Sequence, residues 1–511
     1  MASDFASVME SGYAFDGETL LLGAPLLDGK VAAAARVRVP LAMMNRHGLI
    51  AGATGTGKTK TLQGLAEQLS AAGVPVFLAD LKGDLSGLAA PGESDARVLE
   101  RVKAIGTPFT PAASPVEFLS LTGTRGIPVR ATVSSFGPLL LARTLGLNDT
   151  QESALAMVFK YCDDSKLLLL DLPDLRSVLQ HLIGEGSAEL QQYGALSKAT
   201  VGVLLRKITE LEQQGAGPFF GEPEFEIEDL IRLTKDGRGV VSVLELDDLQ
   251  DHPALFSTFM MWMLASLYRE LPEIGDAPKP KLVFFFDEAH LLFEDAPKAF
   301  RDQIEQVVRL IRSKGVGVFF VTHTPKDVPE EILAQLGHRV QHALRAFSPD
   351  DEKDLRATAN TFPRSEFYDI PKVLTSLGIG EALVTVLSPR GTPTPVAATL
   401  LRPPSSRMGP IAPDELKKIV EASPLRSEYA EAVDRESARE VLAARAGAAP
   451  GAATVPAAKA SKDAPKEASL ADTVGKALSS PAGKTLQREL VRGLLGVLGV
   501  RAATRRRRSG W

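Results

Sequence analysis

Residues 47–65, HGLIAGATGTGKTKTLQGL, set three glycines within six positions between a short apolar run and a stretch with helical spacing. Gly52, Gly55 and Gly57 permit a backbone path that side chains forbid, so successive N–H groups can curl toward one centre. The span Gly52-Ala53-Thr54-Gly55-Thr56-Gly57-Lys58-Thr59 fits G-x-x-x-x-G-K-[ST], a loop that cradles phosphate oxygens. In that pattern Lys58 reaches the β- and γ-phosphates of a nucleotide, and the Thr59 hydroxyl is set to ligate Mg²⁺. Lys60 completes the candidate nucleotide-binding set. The run Gly48–Ala51 reads as a strand and Lys60–Ala71 as a helix. Strand, glycine loop and helix N-terminus together make an anion site.

Such a site needs a carboxylate for the metal at the end of a neighbouring strand. The run KLVFFFDEAHLLF supplies five apolar residues and then Asp287 and Glu288. Buried carboxylates without partners are costly, so two acids directly after an apolar strand point to chemistry rather than packing. Asp287 is the candidate metal-side carboxylate, and Glu288 the candidate base that polarises the attacking water. The run Val316–Thr322 ends in His323-Thr324-Pro325, and His323 suits contact with the γ-phosphate or the lytic water. In the helix before it, Arg309 and Arg312 share a face at i, i+3, expected at the C-terminal edge of the sheet. They are either a solvated pair or an arginine finger for a neighbouring subunit.

The rest of the chain gives these pieces a frame. Residues 47–51, 74–79, 282–286 and 316–322 are apolar without polar alternation, as in strands covered on both faces. Gly73 and Gly315 sit where helix C-terminal caps are wanted. The grammar is βαβ, so the fold class is α/β, and 239–246 and 381–387 are expected in the same sheet. Seven segments are expected: a short N-terminal β segment (1–45), the first part of the core (46–137), a helical insertion (138–215) and the second part of the core (216–400). A helical segment (401–445), a flexible linker (446–469) and a helix with a basic tail (470–511) follow. Residues 256–271 read as a core helix, apolar nearly all round. Arg505–Arg508 suit nucleic acid or anionic lipid, or simply a solvated end. Gly483-Lys484-Thr485 imitates half a phosphate loop, but Leu478 stands where its first glycine belongs, which argues against a second nucleotide site.

Among 511 residues there is one cysteine, Cys162, which excludes a disulfide framework and fits a reducing, cytoplasmic setting. No apolar run approaches the length of a membrane span, and the N-terminus lacks the pattern of a signal peptide. A net charge of −5 means that nucleic-acid contact requires a local basic surface.

With the Walker A loop, the DEAH-type Walker B run, LADLKGDLSG at 78–87 and VVRLIRSKGVGVFFVTHTPKDVPEEILAQLGHRVQHALRAF, the sequence resembles the HerA–FtsK superfamily. Within it the sequence is similar to the bacterial HerA-helicase-like proteins over about residues 15–410. The resemblance implies a RecA-like P-loop core, to which the residues add the helical insertion and a helical, partly flexible C-terminal extension. It further implies a hexameric ring with ATP and Mg²⁺ at the subunit interfaces and translocation on double-stranded DNA. It assigns phosphate and Mg²⁺ contacts to Lys58 and Thr59, Mg²⁺ to Asp287, base to Glu288, and a trans-acting role to Arg309 or Arg312. Asp80, Lys82 and Asp84 fall in a further loop directed at Mg²⁺-bound water, a neighbour or DNA. Two features depart from the family: His323 stands where glutamine is usual, and only some 45 residues precede the loop where HerA proper carries a β-barrel. The residues themselves also admit a nucleotide-gated switch or scaffold that never grips DNA.

Overall fold

The computed structural model describes residues 2–194, 196–246, 253–275, 277–293 and 298–447. All but the first two residues of the expected linker, the expected C-terminal helix and Arg505–Arg508 lie outside them. The strands are β1 (Thr19–Leu27), β2 (Lys30–Val31), β3 (Val37–Pro40), β4 (Gly48–Ala51), β5 (Val76–Asp80), β6 (Val116–Ser120) and β7 (Ile127–Pro128). They continue with β8 (Val241–Glu245), β9 (Leu282–Phe286), β10 (Val316–Thr322), β11 (His338–His342), β12 (Glu381–Thr385) and β13 (Ala397–Leu401). All belong to one sheet, in the order β2-β1-β13-β12-β11-β4-β10-β9-β5-β8-β6-β7, with β3 paired to β1. From β11 to β7 every pairing is parallel. β12, β13 and β1 extend the sheet antiparallel.

The apolar runs follow from burial on both faces: β5, β8, β9 and β10 are buried at every residue. Alternate side chains build two cores. On one face Phe77, Phe284, Phe286 and Phe320 pack under the helical insertion and the helix Pro253–Glu270, whose Met260 and Trp262 are buried, so it is the core helix expected. On the other face Val76, Leu78, Phe285 and Val321 meet Leu62, Leu65 and Leu69 of the helix Lys58–Ala71. The insertion holds four helices, Val133–Thr144, Asp149–Ser165, Leu172–Ile183 and Lys198–Leu211. Asn148 and Asp171 close capping boxes at the starts of two of them.

Three local expectations are corrected. The N-terminal segment opens with a helix, Ala2–Gly12, which buries Phe5 and Met9. Just after it Tyr13 is also buried, and its hydroxyl donates to the Pro395 carbonyl at 2.8 Å. The helical segment expected over 401–445 is not continuous: its helices are Pro413–Ala422, Arg426–Tyr429 and Ala438–Gly447. Pro424 cannot continue a helix, and buried Tyr429 pulls the chain inward by donating to Asp229 at 2.7 Å. Finally, the Asp-Glu strand β9 is not the immediate neighbour of β4, because β10 lies between them.

Candidate active site

That strand order builds the site. β4, β10 and β9 run parallel, so the glycine loop, His323 and the Asp287-Glu288 pair all leave the sheet at its C-terminal edge, with His323 in the middle. The loop is stitched to its neighbours through backbone: Gly52 N donates to the Thr322 and His323 carbonyls at 3.2 and 3.1 Å, and Ala53 N to Ala343 O at 2.9 Å. Gly52 has φ 154°, and a Cβ there would lie 2.4 Å from His342 Cβ. Gly57, at φ 111°, caps the helix Lys58–Ala71. Thr54 and Gly55 stand exposed at the tip, and Thr56 Oγ1 donates to Ala53 O at 2.7 Å.

Lys58 is buried and donates from Nζ to the Gly52 carbonyl at 2.8 Å, which holds its ammonium across the mouth of the loop. Burial draws its pKa below the ordinary lysine value, with Glu288 and Asp287 opposing. Thr59 and Lys60, at the first turn of the helix, are half-buried, and burial also lowers Lys60 against the pull of Asp84 and Asp80.

Asp287 is buried, and its Oδ1 accepts from Glu288 N at 3.0 Å while Oδ2 has no hydrogen-bond partner. Burial and the adjacent Glu288 push its carboxyl up to about 7. The orphaned Asp287 oxygen and the helix-start Thr59 hydroxyl are hard-oxygen donors of the kind that fit Mg²⁺. Glu288 sits in a left-handed turn, φ 49°, unusual for a residue with a Cβ. The following Ala289 N donates to Val321 O at 2.8 Å and pins that turn to β10. Around the Glu288 carboxylate stand Lys82, in an ion pair with Oε1, then His323 Nε2 at 3.2 Å and His290 Nδ1 at 3.5 Å from Oε2. Burial pushes the carboxyl up, but Lys82 and the two histidines outweigh it and hold Glu288 below its usual value.

The loop after β5 is organised by Asp80, which is wholly buried. Its Oδ1 accepts from Gly83 N at 2.8 Å and Lys82 N at 3.1 Å, and its Oδ2 from Leu85 N at 2.8 Å. Asp80 therefore shapes the loop and Lys82 is what the loop presents, while Asp84 is half-buried. Arg309 and Arg312 are corrected in position. Both are exposed where the helix Lys298–Ile311 ends, just before β10 begins, at the N-terminal edge of the sheet and away from the other candidates. Arg309 pairs with Glu305 one turn back. The register explains this, because a helix leading into a parallel strand finishes at the edge where that strand starts.

Several contributors went unread in the sequence. His342, at the end of β11, lies beneath the loop and meets Thr61 Oγ1 at 2.9 Å. Arg101 holds Gly380 and Ile379 by their carbonyls at 2.9 and 3.0 Å, and Gly380 N donates to Thr56 O at 2.9 Å. Asp327 fixes the turn after β10 by accepting from Thr322 Oγ1 and Thr324 N, both at 2.8 Å. The paired histidines of HRVQH were an available signal for His342.

Sheet order, glycine loop and acidic strand end together define a RecA-like P-loop NTPase fold. The family model described as "Helicase HerA-like C-terminal" matches residues 27–505, and the chain belongs to that family. It is 24% identical over 351 residues to the "DNA double-strand break repair helicase HerA" of Sulfurisphaera tokodaii, covering 68% of this chain and 64% of that one. Its likeness to the protein of the same description from Saccharolobus solfataricus is 23% over 352 residues, covering 68% and 63%. The chain thus spans less than two thirds of the length of these relatives. Among solved structures, the bacterial conjugative coupling protein TrwBdeltaN70 in its unbound monoclinic form shares the fold at a TM-score of 0.50. The identity is 16%, over 80% of this chain and 95% of that one.

Proposed function

We propose that this chain is an ATP-hydrolysing, HerA-like motor that acts on DNA as a helicase or translocase. The observation that carries the reading is the convergence of Lys58, Asp287, Glu288 and His323 at one sheet edge. Lys58 meets the β- and γ-phosphates, Glu288 takes the proton of the attacking water, and His323, beside it, contacts the γ-phosphate end. Thr59 and Asp287 would hold Mg²⁺. When bound, the ion neutralises charge on the phosphate oxygens.

Two substitutions test the chemistry. Glu288→Gln should keep ATP binding and lose turnover by about 10²-fold or more, as expected for a lost general base. Lys58→Ala should lose hydrolysis through lost phosphate contact. Hydrolysis by Glu288→Gln at the wild-type rate sinks the assignment of the base. For the substrate, the family membership and relatives described as DNA double-strand break repair helicases support DNA, and the form proposed is double-stranded. ATPase stimulation by double-stranded DNA should be present at low salt and fade as salt rises. Absence of stimulation by double-stranded DNA, single-stranded DNA and RNA alike would favour the nucleotide-gated switch.

The assembly proposed is a homo-hexamer with nucleotide between subunits. Charge spread over the transferring phosphoryl group calls for a cation from the neighbour. Mixing an Arg309→Ala/Arg312→Ala chain with a Lys58→Ala chain asks whether that cation is this pair. Recovered ATPase in the mixture supports it, and a double-arginine variant that turns over normally removes it. Among the described residues no helix is long and apolar enough to cross a membrane, and the compartment proposed is the cytoplasm.

A further inference from the structure

The carboxylate that serves as base also stands between two imidazoles. Glu288 comes from the end of β9, His290 from the short helix His290–Phe293 that follows, and His323 from the tip of β10. One ligand-capable atom from each of the three lies within 4.8 Å of the others. Glu288 is 5% exposed, and its Oε2, like His290 Nδ1, has no hydrogen-bond partner. Lys82 occupies the other oxygen and leaves Oε2 to the histidines. The two imidazole rings lie side by side, 5.2 Å between centroids.

The spacing has a simple geometric meaning. Ligand atoms held about 2.0–2.1 Å from one ion at tetrahedral angles stand about 3.4 Å apart. Oε2 lies 3.2 Å from His323 Nε2 and 3.5 Å from His290 Nδ1, on either side of that value. Two imidazoles and one carboxylate suit Zn²⁺ and its Co²⁺ analogue, and suit Mg²⁺ and Ca²⁺ poorly because those ions take oxygen. The histidines also line a cavity of about 630 Å³, open to a fourth ligand such as water. Two cations share that cavity wall, Arg301 and Lys326, and Lys326 is turned to Asp354.

We propose that Glu288, His290 and His323 form a binding site for a transition-metal dication, Zn²⁺ or a close relative, distinct from the Mg²⁺ seat at Thr59 and Asp287. An ion there would take the lone pair that Glu288 needs as base. The inhibitory consequence, though not the site, therefore rests on the function proposed above.

The test uses the full chain and Co²⁺, whose visible absorption reports tetrahedral nitrogen and oxygen ligation. We expect a saturable band at one Co²⁺ per chain, displaced by Zn²⁺ and untouched by excess Mg²⁺. It should be weakened in His290→Ala and absent in His290→Ala/His323→Ala. No visible band from the wild-type chain at stoichiometric metal would overturn the site, whatever the variants do, and so would an undiminished band in the double variant. In a second arm, saturating Zn²⁺ should slow Mg²⁺-dependent ATP hydrolysis by about 10²-fold or more, the range for blocking a general base, and His290→Ala should relieve it. A Co²⁺ band without any ATPase would leave the metal site standing and sink the proposed function. Unchanged ATPase under Zn²⁺ with a full Co²⁺ band would sink only the inhibition.

Discussion

At the scale of single residues the glycine loop gives a sharp contrast. Gly52→Ala must place a Cβ 2.4 Å from His342 Cβ on a backbone at φ 154°, whereas Gly55→Ala meets nothing within 4 Å at φ 78°. Gly55→Ala should cost about 1–2 kcal/mol, the ordinary left-handed penalty. Gly52→Ala should cost clearly more, because about 1–3 kcal/mol of backbone strain adds to overpacking of similar size. Urea unfolding of the two variants checks this, and equal midpoints would contradict it. Buried histidines give a second expectation. Burial lowers His47 to about 3 and both His338 and His342 to about 4. His47 Nδ1 accepts from Val318 N at 3.0 Å, so protonation there would set two N–H groups against each other. The folded pKa values lie below the unfolded one, so the unfolded chain takes up protons first. Stability is thus fully present above the unfolded value of about 6.5 and falls as pH drops from there toward 4. Each histidine adds a slope of about 1.4 kcal/mol per pH unit in that window. Denaturant midpoints measured across that range should decline on acidification, and less steeply in His338→Gln than in wild type.

At the scale of elements, the helix Lys58–Ala71 is held at both ends by parts distant in sequence. Its Glu67 accepts from Ser405 N at 2.8 Å, Ser406 N at 3.0 Å and Ser406 Oγ at 3.0 Å. Glu67→Ala strands two backbone donors and should cost about 2–4 kcal/mol, since unsatisfied buried groups cost about 1–3 kcal/mol each. A shift in thermal midpoint of under a degree would refute it. Arg101→Ala should loosen the Gly380 turn against Thr56, raising the KM for ATP more than it lowers kcat. Steady-state kinetics separates the two. What the sequence disclosed follows the same physics. The strands β4, β5, β9 and β10 were legible because burial on both faces leaves unbroken apolar runs, and the acids beyond β9 stood out against them. β6 and β11 were not, because Glu117, Arg339 and Gln341 interrupt the pattern. The pairing of Lys82 with Glu288 joins residues 206 apart, which no local spacing can announce. Spacing showed that Arg309 and Arg312 share a face, but the edge of the sheet they occupy depends on helix direction, which the expectation overlooked.

At the scale of the whole molecule, the proposed ring predicts a sedimentation shift. Velocity ultracentrifugation of the chain with ATP and Mg²⁺ should show a species near six protomers, and a monomer hydrolysing ATP at full rate after dilution would rule the ring out. The sheet itself bears on how such a ring is joined. Among the described residues the thirteen strands end on one side at β7, two residues closing on Pro128, and on the other at β2, also two residues, with β3 closing on Pro40. Short, proline-ended borders offer a neighbour almost no free backbone to pair with. In the proposed ring, copies of this chain would therefore meet through side chains, like stones laid dry rather than cloth sewn at the hem. In such a ring a protomer could leave one assembly and enter another without any described strand being unpicked.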